Sequence, residues 1–163
     1  FAGACGLTKR IAATDRLAFA ALVTYGFACV SVLIATSVSG FIVPDIMRHM
    51  VRDDGANAPQ WKIAIVSIFQ INQAFARIYS VAGSVSIILW SASALRNGGF
   101  GRGVALYGCI LSPLIIVGIA IGHLRLDVHG MAIVAVTQAL WFIIVGTQLC
   151  AAPIPAAHPP TQL

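Results

Sequence analysis

The chain has 163 residues, of which 59% are hydrophobic and only 9% charged, with a net charge of +5. A soluble domain is about 25% charged, so this composition excludes an ordinary soluble globule and points to membrane-spanning helices in a single domain. The positive charge does not indicate a nucleic-acid partner: the ten Lys and Arg residues form no dense run and flank apolar stretches, as membrane topology requires.

Residues 1–16 form a basic N-terminal segment, with Lys9, Arg10 and Arg16 ahead of the first apolar run. That run is too long for the core of a cleaved signal peptide, so the first helix is expected to be retained. The first span is predicted at 17–43, ended by Pro44 and Asp45. A polar connection follows to Gln60, with Arg48, His49, Arg52, Asp53, Asp54 and Pro59.

The apolar region 61–95 contains no Pro and one Gly, Gly83. As one helix it would be about 50 Å long, too much for one crossing and too little for two with a turn. The membrane part is placed at 78–95, with the extension from 61 either protruding or lying at the interface, a division favoured by Gln70, Asn72, Gln73 and Arg77. The glycine-rich turn after Asn97 lacks the Lys-Ser/Thr pair of a phosphate loop. The third span is predicted at 104–124, kinked at Pro113, and a tight connection through His123, Asp127 and His129 leads to the fourth at 128–150. The Pro-rich tail, 151–163, is expected to be disordered or extended. The fold expected is therefore all-α, an integral membrane four-helix bundle running up-down-up-down over residues 17–150.

Lys9, Arg10, Arg16, Arg96 and Arg102 stand on the side of the termini, and Arg48, Arg52, Lys62 and Arg125 on the other. The cluster before the first helix favours both termini in the cytoplasm, of a bacterial cytoplasmic membrane. Small residues four apart suggest packing faces: Ser31, Ala35 and Ser39; Ala76, Ser80 and Ser84; Gly118 and Gly122; Ala135 and Ala139. Gln70, Gln73, Arg77, Ser80, Ser84 and Ser91 share one face of the second span, and Asp127, Gln138, Trp141 and Gln148 one face of the fourth. Both faces should point into the bundle, either fixing helix register or lining a cavity for a ligand, quinone, lipid or ion.

Alternation of the spans brings two connections to one side of the membrane. Asp45 and His49 come from the first, and His123, Asp127 and His129 from the second, with Arg77 at a similar depth by helical rise. Together with Gln138 and Trp141 these form the candidate polar site at the end opposite the termini. His49, His123 and His129 could hold zinc, copper or another divalent metal, and two of them could serve as axial haem ligands. Acid–base chemistry with Asp127 orienting a histidine is a further option, as is an interfacial network in which Arg77 pairs with Asp127 or Asp45.

Four-span thiol–quinone redox enzymes are similar in size, but Cys5, Cys29, Cys109 and Cys150 form no close pair. Small multidrug exporters also have four helices, but need a carboxylate inside the membrane, and no span here carries one. Two functions remain as expectations. One is an accessory or structural subunit, working beside other membrane subunits or a second copy. The other is a ligand-, metal- or haem-binding protein, which could be an enzyme, using the polar end.

Overall fold

The computed structural model describes residues 1–12, 15–53, 57–124 and 126–151. Among them the chain is nearly all helical, with no strand. The expected Pro-rich tail beyond 151 and Arg125 lie outside the described residues. The helices are α1 (Ala2–Ala12), α2 (Arg16–Ser37), α3 (Val43–Arg52), α4 (Ala58–Asn97), α5 (Arg102–Ala120) and α6 (Val128–Ala151). A π-helical turn, Val38–Ile42, joins α2 to α3 without a break. Four helices are long and apolar enough to cross a membrane: Arg16–Arg52, Pro59–Asn97, Arg102–Ala120 and His129–Ala151.

Three expected boundaries change. Residues 1–16 are not merely a basic segment. Ala4, Leu7 and Ile11 recur at helical spacing and are buried, so α1 docks on the bundle while Lys9 and Arg10 stay exposed. The first long helix does not end before Pro44. Proline lacks an N–H, and its ring presses on the carbonyl four residues back. The π turn absorbs that mismatch: the Val43 N–H reaches back five residues to the Val38 carbonyl, and Pro44 falls in the first turn of α3. The third helix ends at Ala120 rather than 124, because Gly122 turns the chain at φ 75°. Its Gly118 carbonyl then accepts from the Leu124 N–H at 2.8 Å.

At 1.5 Å per residue α4 is about 60 Å long and the α2–α3 rod about 55 Å, whereas α5 is about 29 Å, close to the thickness of a hydrocarbon core. The start of α2 lies beside the end of α4, where Asp15 meets Ser93 and Asn97. The end of α3 lies beside the start of α4, where the Asp53 carboxylate accepts from Trp61 Nε1 at 2.8 Å and Asn57 Nδ2 at 2.9 Å. The α5–α6 pair thus covers about half of α4. The rest of α4, together with α3, runs past the α5–α6 turn.

The packing is built on α4, which contacts α2 and α5 most extensively and touches α6, α1 and α3 as well. Small side chains line the close approach: Ala18, Ala21, Ala28, Ser31 and Ala35 of α2, and Ala76, Ser80, Ser84 and Ala94 of α4, are buried. Between helices in lipid there is no hydrophobic drive, so backbone proximity and dispersion hold them, and small residues permit both. Large apolar residues such as Phe19, Phe27, Ile110 and Ile143 face outward, as they should towards acyl chains. The expected small-residue faces on α5 and α6 pack against no other helix, and Gly118 meets only Leu124 of the following turn. Gly122 has no neighbour where a Cβ would stand, and Ala135 and Ala139 are exposed. Instead α6 buries Val134, Gln138, Trp141 and Val145.

Candidate functional site

The polar face of α4 divides along its length. Ser80, Ser84 and Ser91 are buried against the bundle, whereas Gln70 and Arg77 are exposed. Gln138 of α6 donates through Nε2 to the Ser80 carbonyl at 3.3 Å and to Ser84 Oγ at 3.2 Å. Such bonds satisfy groups that lipid could not, and they fix the register of α6 on α4. Three residues beyond Gln138, Trp141 is fully buried and stacks on Trp90 with centroids 6.2 Å apart. A Cβ on Gly108 of α5 would come within 2.2 Å of Ser91 Oγ and 2.8 Å of Trp141 Nε1. Gly108 is therefore where three helices converge, and neither of those two polar atoms has a hydrogen-bond partner among the described residues.

At the end of the bundle nearer the termini, α1 and the start of α2 close over the aromatic core. Trp90 Nε1 donates to Thr8 Oγ1 at 3.1 Å, and Thr8 in turn donates to the Ala4 carbonyl at 2.9 Å. Asp15 caps α2 by accepting from the Leu17 N–H at 3.0 Å, and it takes the Ser93 hydroxyl and Asn97 amide as well. The Ser93 hydroxyl, the Leu17 N–H and the nearby Arg96 and Asn97 hold the Asp15 carboxyl below its ordinary value. Gly101 N donates to Gln148 Oε1 at 2.8 Å, tying α6 to the turn before α5. Sequence reasoning missed this clasp. Its signal was the apolar spacing of Ala4, Leu7 and Ile11, masked by Lys9 and Arg10.

The opposite end holds the expected cluster, which the structure only partly assembles. Arg77 and Asp127 line one cleft of about 520 Å³ between α4 and the α5–α6 turn, with Gln70, Gln73 and Leu124. They form no ion pair there. Asp127 instead caps α6: its Oδ1 accepts from the Gly130 N–H at 2.9 Å, and its carbonyl from the Met131 N–H at 2.9 Å. A second, more apolar cleft of about 480 Å³ opens between α2 and α4, lined by Val32, Ala35, Thr36, Asn72, Ala76 and Met131 among others. The two clefts share Phe69, Gln73, Leu126 and Asp127. Asn72 Oδ1, on the apolar cleft, is buried without a hydrogen-bond partner among the described residues.

Asp45 and His49 stand elsewhere. Because the helix continues through Pro44, it carries them along α3 to the level of Trp61, on which His49 stacks with centroids 6.4 Å apart. Trp61 precedes Arg77 on α4 by about 24 Å of helical rise. His49 Nε2 lies 3.8 Å from Asp45 Oδ2, and both are exposed. His123 and His129 are exposed beside the α5–α6 turn. Among the described residues no group of three His, Cys, Asp or Glu is placed to hold a metal ion. Gln138 and Trp141 belong to the bundle interior, about 16 Å and 21 Å of helical rise beyond Asp127. The eight residues expected in one site therefore fall into four places: Asp45 and His49 on α3, Arg77 and Asp127 in the paired clefts, His123 and His129 exposed at the α5–α6 turn, and Gln138 and Trp141 in the core. No family model, no curated protein and no solved structure matches this chain.

Proposed function

We propose that this chain is a non-catalytic, multi-pass membrane protein that serves as an accessory or structural subunit. Its four long helices cross the bilayer up-down-up-down, with both termini on the cytoplasmic side. The observation that carries this reading is the projecting hairpin of α3 and the first half of α4. Val51 and Ile63 there are 74% and 68% exposed, with Val66 and Phe69 also uncovered, and Phe41 in the π turn before α3 is 77% exposed. If α5 sets the membrane thickness, these side chains stand beyond the hydrocarbon, where uncovered large apolar side chains mark an interaction site. Another membrane subunit, or a second copy, would bury them.

A photoreactive side chain at Ile63 or Val66, activated in native membranes, should give a discrete protein adduct. The same probe at lipid-facing Ile110 should give none. Lipid adducts alone at all three positions would overturn the subunit reading.

A further inference from the structure

We propose that the paired clefts bind one phospholipid that carries a primary ammonium in its headgroup, with one acyl chain in the cleft between α2 and α4. This site borders the projecting hairpin at Phe69, but it does not depend on what that hairpin docks against.

The two clefts differ in chemistry and meet at Asp127. One offers a cation, Arg77, which makes no ion pair among the described residues and sits with the α5–α6 turn. A guanidinium at the edge of the hydrocarbon seeks a phosphate, which it can bind through two N–H groups. Asp127 gives one carboxylate oxygen to the Gly130 N–H, and its side of the α6 start lines both clefts. A carboxylate beside that phosphate would repel an anionic lipid, but it matches an ammonium a few ångströms farther along the headgroup. Asn72 Oδ1, buried without a partner on the apolar cleft, is a second acceptor. An unmet buried acceptor is costly, and an N–H donor would remove that cost. The apolar cleft lies between two long helices and has a wall of Val32, Ala76 and Met131, which suits an acyl chain.

Together the donors and acceptors specify a zwitterion with N–H groups. A choline headgroup carries no N–H to give Asp127 or Asn72. A glycerol headgroup carries no cation. Free phosphate has neither the ammonium nor the chain.

The test uses the full chain in detergent, read by native mass spectrometry and thermal melting, with added phosphatidylethanolamine, phosphatidylcholine, phosphatidylglycerol or inorganic phosphate. Phosphatidylethanolamine should give a one-to-one adduct and raise the melting temperature, binding at least about tenfold more tightly than the other two lipids. Inorganic phosphate should do neither. Arg77→Gln should lose at least about tenfold in affinity. Asp127→Asn keeps an N-cap on α6, so the fold stays and the preference for ethanolamine over choline disappears. Thr36→Trp, at an exposed position on the apolar cleft, should block the chain and leave lipid-free melting unchanged. Equal binding of all three lipids, or binding that survives both Arg77→Gln and Thr36→Trp, would overturn the proposal.

Discussion

Gly108 sits where α4, α5 and α6 meet, and a methyl group there would overlap Ser91 Oγ and crowd Trp141 and Ile87. Gly108→Ala should destabilise the bundle by about 1–3 kcal/mol through overpacking. Gly146→Ala, where no atom lies within 4 Å of the added carbon, should leave thermal melting in detergent unchanged or slightly raised. Equal losses at the two positions would mean that the three-helix junction is not tight. Asp15 has the opposite character: half-buried, charged and tied to Ser93, Leu17 and Asn97. Its folded pKa is depressed from the ordinary 3.8, so its contribution is complete above that value and is lost as pH falls through the lower folded value. Hydrogen-exchange protection of α1 and the start of α2 should therefore hold from neutrality to about pH 4 and weaken below it. In Asp15→Asn, which can still cap α2, that acid-dependent step should be absent.

At the scale of elements, the continuity of α4 decides where the chemistry lies. A single rod from 58 to 97 puts Arg77 level with the α5–α6 turn and leaves Trp61 far beyond it. Spin labels at Ile63 and Leu95, both exposed, should lie about 48 Å apart along such a rod, give or take the label arms. Pulsed dipolar spectroscopy on a variant lacking Cys5, Cys29, Cys109 and Cys150 would measure this. A separation below about 35 Å would show a bend or a surface-lying extension instead. The same continuity explains why the histidines do not converge. The π turn before Pro44 keeps α2 and α3 in one helix, which takes His49 outward and leaves His123 and His129 behind at the shorter helices' turn.

For the whole molecule, the charge distribution sets the expected orientation. With Lys9, Arg10 and Arg16 before the first long helix, an impermeant thiol reagent added outside intact cells should label a cysteine at Gln60 and spare one at Gly103. The reverse pattern would invert the protein without changing its helices. Apolar run lengths, scarcity of charge and the loops between runs made four membrane-length helices legible in the sequence alone, because a backbone in lipid must satisfy its own hydrogen bonds within each segment. The buried Ser80, Ser84, Gln138 and Trp141 were legible too, since polar groups on an apolar helix avoid lipid. Local pattern could not determine that Gly108 rather than Gly122 takes the close approach, or that α1 clasps Trp90. Nor could it determine that Asp127 spends itself on capping α6 while sharing a cleft with Arg77. Those outcomes depend on the relative depth and rotation of helices far apart in the chain, which only their mutual packing fixes.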